Sequence, residues 1–299
     1  MIDLPLLPLR PPDSHKGDFG LALIVGGSKG MVGAVALAGM AALRGGAGLV
    51  RLGVPKPCLE VVASFEPSYM TVALACDRAG RLSFDARQQI LQSAAAATVV
   101  GMGPGLGRSL SLDRLVPWLY RHVDKPMVVD ADALNALASR PEALGQGGGP
   151  RILTPHPGEF ARLLGVARVP PEQRPPAAVD LAARTGTIVV LKGHRTLVTD
   201  GQRQWINNTS GNPGMATGGS GDVLTGLITA LACQGLSPFD AARLGVYLHG
   251  LAGDLAEAEL GQESIIASDL VRFLPNAFRA YRQRFGKGAQ PVPRRERRG

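Results

Sequence analysis

Short apolar β-type runs alternate with Ala/Leu-rich helical stretches along most of this chain, and several of the runs end in residues suited to chemistry. Leu21–Val25 leads into Gly26-Gly27-Ser28, and Ala97–Gly101 into Met102-Gly103-Pro104-Gly105. Met127–Val129 ends in Asp130-Ala131-Asp132, Arg151–Leu153 in Thr154-Pro155-His156, and Thr187–Leu191 in Lys192-Gly193. Helical patterns fill the intervals at 34–43, 84–97, 133–138 and 177–184, a second early strand is expected over 48–54, and residues 223–285 read as almost entirely helical. Continuous apolar strands separated by helices predict an α/β fold with a mainly parallel central sheet covered on both faces. Ligands bind such sheets outside the carboxyl ends of the strands, where these polar termini converge. Thr196–Gly201 is expected to open a hairpin.

The densest signal is Gly211-Asn212-Pro213-Gly214-Met215-Ala216-Thr217-Gly218-Gly219-Ser220-Gly221-Asp222, directly ahead of the apolar run Val223–Ile228. Glycines at a helix start let backbone N–H groups and the positive end of the helix dipole approach an anion. A carboxylate there suits a proton acceptor beside a phosphate; the plain alternative is an N-capping Asp. Gly101–Gly107 does not match the G-x-G-x-x-G dinucleotide spacing, because Leu106 and Arg108 stand where glycine is required. It reads as a close approach to ligand or as a tight turn. His156 and Glu159 sit on a proline-stiffened turn, where Glu159 either favours a helix start or orders Mg²⁺ through water. Asp130 and Asp132 suit a metal, with a helix cap as the alternative for Asp132, and Lys192-Gly193-His194-Arg195-Thr196 suits nucleotide contact or a hairpin rim.

Composition bounds the function. A hydrophobic content of 45% and charged content of 19% describe a globular chain with an ample core. Uninterrupted apolar runs fall short of the ~20 residues that span a bilayer, and the start lacks a signal-peptide pattern. Three scattered cysteines carry no zinc spacing, so a reduced cytoplasm is the expected home. The net charge is +8, but seven basic residues against Glu296 place +6 of it in residues 282–299. Residues 1–281 are therefore nearly neutral, which argues against nucleic acid as a specific partner. We expect one domain over 1–281 and a basic, disordered tail over 282–299.

Gly218-Gly219-Ser220-Gly221-Asp222 resembles the anion hole and catalytic Asp of the ribokinase-like superfamily. Together with Thr154–Glu159, Lys192-Gly193, Gly101–Gly105, His15–Gly20 and Gly26–Ala34, the segment closely resembles the NAD(P)H-hydrate dehydratases over roughly residues 14–275. The resemblance implies a ribokinase-like three-layer sandwich, in the form lacking the N-terminal epimerase domain that many members carry. It implies ADP- or ATP-dependent dehydration of the S epimer of hydrated NADH or NADPH. Asp222 would be the catalytic base, and Ala34, Gly105, His156 and Asp222 would contact the hydrated cofactor. Lys192, Gly193, His194, Arg195 and Thr196, with Gly218, Gly219, Ser220 and Gly221, would hold the nucleotide. Glu159 would order Mg²⁺ through water. A homotetramer and a separate epimerase acting on the same metabolite complete the expectation, and the small-residue helix over 34–48 is a candidate subunit contact. The competing readings are a kinase of a small vitamin-precursor alcohol and a non-catalytic adenine-nucleotide-binding regulatory domain.

Overall fold

The computed structural model describes residues 4–286. Nine strands form one sheet in the order β3-β2-β1-β4-β5-β6-β7-β8-β9. They are β1 (Leu21–Val25), β2 (Leu49–Pro55), β3 (Met70–Leu74), β4 (Val99–Met102), β5 (Met127–Val129), β6 (Arg151–Leu153), β7 (Ile188–Leu191), β8 (Leu197–Thr199) and β9 (Gln204–Ile206). Every pairing from β3 through to β7 is parallel; β8 and β9 add the expected hairpin in antiparallel sense.

Helices cover both faces: α1 (Val32–Arg44), α2 (Leu59–Ala63), α3 (Arg87–Ala95), α4 (Leu112–His122), α5 (Ala131–Ala138), α6 (Pro157–Leu163), α7 (Arg174–Thr185), α8 (Ser220–Cys233), α9 (Pro238–Leu260) and α10 (Ala267–Phe285). Side chains alternate across a strand, so each central strand feeds two cores. Ala22, Ile24, Val128, Ile152 and Val190 join the core under α1, α8, α9 and α10. Leu23, Val25, Met127, Val129, Leu153 and Val189 join the one under α3 to α7. Three layers result, as the strand pattern predicts.

β3 and α4 are absent from the sequence reading for physical reasons. β3 is an edge strand with half-exposed residues, so it lacks a buried apolar run. α4 carries Pro117 in its interior, which removes a helical hydrogen bond and reads as a breaker. One face of the segment 34–48 packs inside the chain, where Val35, Ala38, Ala41 and Ala42 are fully buried, while Ala34, Leu37, Met40 and Leu43 stay partly exposed. A Cβ on Gly226 of α8 would lie 1.9 Å from the Ala38 carbonyl oxygen, so the two backbones touch. The boundary expected at residue 282 falls within α10, which runs to Phe285. Arg282 donates to the Leu7 and Pro8 carbonyls, and Tyr281 Oη donates to the Pro5 carbonyl at 2.6 Å, so the amino-terminal segment straps this helix. The remainder of that tail lies outside the described residues.

The chain runs outward from β1 to β2 and β3, then returns to place β4 on the other side of β1. This reversal opens a crevice at the carboxyl ends of β1 and β4. Past the strands the ladder continues through loops: Gly103 N to Val25 O at 3.1 Å, Asp130 N to Met102 O at 3.0 Å, Thr154 N to Val129 O at 3.0 Å and Lys192 N to Pro155 O at 2.9 Å. The polar strand ends are thereby held on one braced rim.

Candidate active site

α8 begins earlier than the apolar run suggests. Its N-cap is Gly219, and Asp222 is the third helical residue, so capping does not account for the carboxylate. Gly219 has φ +91°, and a Cβ there would lie 2.7 Å from Leu37 Cδ1 and 2.9 Å from Ala267 Cβ. Both conformation and space demand glycine. The first turn of a helix leaves its N–H groups without intrahelical acceptors, and here that turn carries small residues only up to Asp222. A Cβ at Gly218 would meet open space, whereas one at Gly221 would come within 3.1 Å of Lys192 Nζ.

A buried charge cluster lies under this turn. Asp130, 1% exposed, stands at the end of β5. One of its oxygens accepts from Lys192 Nζ and the other from Thr225 Oγ1, at 2.7 and 2.8 Å. Thr225 lies three residues beyond Asp222 on α8, so the pair ties β5, β7 and α8 together. Glu159 Oε2 is 3.9 Å from the same ammonium. Burial works against the charge of Lys192, but Asp130 and Glu159 outweigh it and hold the pKa above its ordinary value. Burial, then the neighbouring Asp130 carboxylate, pushes Asp222 up to about 7, with Lys192 opposing. A carboxyl group at that position exchanges its proton near neutral pH.

His156 and Glu159 form a reciprocal cap on α6. His156 Nδ1 accepts from Gly158 N and Glu159 N at 3.0 and 3.3 Å, while Glu159 Oε2 accepts from His156 N at 2.8 Å. Burial, with Lys192 and Arg162 nearby, holds His156 below its ordinary pKa. Burial raises that of Glu159. Asp130 occupies the N-cap position of α5 without a side-chain cap bond, and Asp132 instead accepts from Gly107 N at 2.8 Å.

A cavity of about 720 Å³ opens beside the cluster. His156, Lys192 to Thr196, Ser220 and Gly221 line it together. Arg195 holds φ +62°, unusual for a residue with a side chain. Gly218, Gly219, Asp222, Ala34 and Gly105 are not in that lining. The last two meet each other at the β1/β4 crevice, where a Cβ on Gly105 would lie 3.0 Å from Ala34 Cβ. The expected residues thus fall into two groups, one around the cavity and one at the crevice, with Asp222 and the α8 turn among the charged residues beside the first.

Sequence reasoning missed His249 and Asp254, which α9 delivers from far along the chain. His249 is buried, which lowers its pKa to about 4, and its Nε2 donates to the Ser220 carbonyl at 3.0 Å. Asp254 accepts from Gly211 N at 3.0 Å and fixes the glycine loop. A lone His and a lone Asp in a long helix give no spacing signal. Among the described residues no group of three or more His, Cys, Asp or Glu side chains is placed to hold a metal ion. With one Glu159 oxygen committed to His156 N, the remaining donors suit an ion held mainly by phosphate and water. No helix of the described residues is long and apolar enough to cross a membrane.

Known proteins resemble this chain in sequence and in fold. The ADP-dependent (S)-NAD(P)H-hydrate dehydratase of Neisseria meningitidis serogroup B is 45% identical over 258 residues, covering 84% of this chain and 82% of its own length. The ADP/ATP-dependent NAD(P)H-hydrate dehydratase of Bacillus subtilis, co-crystallised with ATP/Mg²⁺, superposes with a TM-score of 0.76 at 31% identity, covering 92% of this chain and 95% of that one. A ribokinase-like superfamily protein of Enterococcus faecalis V583 superposes with a TM-score of 0.77 at 26% identity, covering 92% of each chain. The fold is therefore the ribokinase-like sandwich expected. The chain also spans about half the length of the bifunctional NAD(P)H-hydrate repair enzymes it matches. The NAD(P)H-hydrate dehydratase family model matches residues 22–276, nearly the whole of the described body, and the chain belongs to that family.

Proposed function

We propose that this chain removes water from the S epimer of hydrated NADH or NADPH, converting ADP to AMP and phosphate. The observation that carries the reading is Asp222, a part-buried carboxyl near neutral pKa on a glycine-capped helix turn beside Lys192. Neither a structural cap nor a nucleotide sensor requires a base in that place.

The nucleotide occupies the cavity lined by Lys192 to Thr196, with its terminal phosphate at the first turn of α8. Asp222 takes the proton of the hydrate's C6 hydroxyl as that oxygen attacks the terminal phosphoryl group, and AMP leaves. N–H groups of Gly218 to Gly221 and the Lys192 ammonium stabilise the negative charge on the transferring group. Hydroxide is a poor leaving group and phosphate a good one. The ring nitrogen lone pair then expels phosphate from C6 to leave an iminium, and loss of the C5 proton to water restores the carbon–carbon double bond of the dihydropyridine. Ala34, Gly105 and His156 orient the ring.

Glu159 would order a nucleotide-bound Mg²⁺ through water, and the ion would supply charge neutralisation at the phosphates. The preference for ADP over ATP, a homotetrameric assembly, a separate epimerase that supplies the S epimer and a cytoplasmic location belong to the same proposal. Hydrated NADH supplied with ADP and Mg²⁺ should regain reduced-nicotinamide absorbance with one AMP formed per turnover. A stable phosphorylated vitamin alcohol, with no activity on the hydrate, would replace this reading with a kinase.

A further inference from the structure

The crevice between β1 and β4 carries a cluster of cations that no step above uses. Three loops meet there: residues 26–31 after β1, residues 76–82 after β3, and residues 103–109 after β4. They brace one another. Lys29 N donates to Gly80 O at 3.1 Å, Ser28 Oγ to Gly105 O at 2.8 Å, and Arg81 Nη1 to Arg108 O at 2.8 Å. A Cβ on Gly107 would lie 3.3 Å from Met31 Cε and 3.5 Å from Arg81 Cδ, and one on Gly105 would lie 2.5 Å from Met31 O. Lys29, Arg81 and Arg108 are therefore mounted on loops in contact with Ala34 and Gly105.

The facing carboxylates are already engaged. Asp77 pairs with Arg81 at 2.9 Å, and Asp132 accepts from Gly107 N at 2.8 Å. Lys29 and Arg108 are exposed and form no ion pair among the described residues. Lys29 and Arg108, two exposed cations without an acidic partner among the described residues, on a body whose net charge is close to zero, are placed for an external anion. We propose that Lys29 and Arg108, on loops braced by the guanidinium of Arg81, form a phosphate-recognition site for the hydrated dinucleotide, an inference that rests on the dehydratase reading. That reading puts the phosphates of ADP on the Lys192 side. The second dinucleotide brings phosphates of its own, and the loops beside Ala34 and Gly105 offer these cations to them. An Arg fork and a Lys point charge both suit phosphate oxygens.

The test is the double variant Lys29→Gln/Arg108→Gln, which leaves Arg81 to brace the loops. Its KM for the hydrate should rise about tenfold or more, with kcat and the KM for ADP unchanged, the pattern of lost binding uniform through the reaction. A loss confined to hydrated NADPH assigns the contact to the 2′-phosphate; an equal loss on hydrated NADH assigns it to the pyrophosphate bridge. Equilibrium binding of NADPH to wild type and variant reads the same contact without turnover, and should weaken in parallel. Values for both hydrates and for NADPH within about twofold of wild type would overturn the site. A wild-type protein that binds NADPH but never dehydrates the hydrate would sink the dehydratase reading instead, and NADPH binding alone would then decide the site.

Discussion

Asp222→Asn should abolish turnover while making the ligand-free protein more stable, and the two effects have one cause. Ionising this carboxyl at a pKa of about 7 rather than the usual 3.8 costs the folded state roughly 2–4 kcal/mol, after some allowance for solvent screening of a part-buried group. A folded-state pKa above the unfolded one means stability is lost as pH rises, from the unfolded value through the folded one. Near pH 4 the variant and wild type should therefore melt together. Between about pH 4 and pH 7 the variant should pull ahead, and above about pH 7 its lead should level off. At roughly 2–4 °C per kcal/mol for a domain of this size, the plateau is a Tm gain of about 5–10 °C. Loss of a general base costs ~10²–10⁴-fold in rate. Differential scanning calorimetry across pH, with turnover on the same samples, checks both. A Tm difference independent of pH, or an Asn variant keeping more than about a tenth of the activity, would refute the reasoning.

Further expectations rest on separate observations. Since Asp222 must be ionised to act, kcat/KM should fall as pH drops below about 7 in the free enzyme; a flat profile from pH 6 to 8 by initial-rate assay would count against it. Gly219→Ala places a Cβ into Leu37 and Ala267 at φ +91°, and urea unfolding should show a loss of about 1–3 kcal/mol together with weaker ADP binding. Arg151→Met removes a buried guanidinium that donates to the Tyr120, Val123, Lys125 and Pro150 carbonyls at the opposite end of the sheet from the site. Orphaning those acceptors should cost about 3 kcal/mol or more, with kcat unchanged in the folded fraction.

The layered fold was legible because parallel strands buried on both faces are written as continuous apolar runs, and five of them ended in glycine-rich or polar residues that the sheet then aligned. Edge strand β3, half-exposed, carries no such run, and Pro117 conceals α4. At the site, the glycine loop was legible through its composition, but its geometry was not: the N-cap lies at Gly219, so Asp222 falls inside the helix. In the sequence Asp130 reads only as a candidate metal ligand. Its pairing with Lys192 joins residues 62 positions apart and arises from strand order. His249 and Asp254 illustrate the remaining limit. Helix packing brings them to Ser220 and Gly211, and nothing local marks them.

The central claim is that the departing hydroxyl leaves as phosphate. Hydrated NADH prepared with heavy oxygen at the C6 hydroxyl, given ADP and Mg²⁺, tests it directly by mass spectrometry of the released phosphate. One heavy oxygen in each phosphate formed, matched to each NADH regained, is the predicted result. Unlabelled phosphate, its fourth oxygen drawn from solvent and the label released to water, would contradict phosphorylation of the hydrate and the role assigned to Asp222.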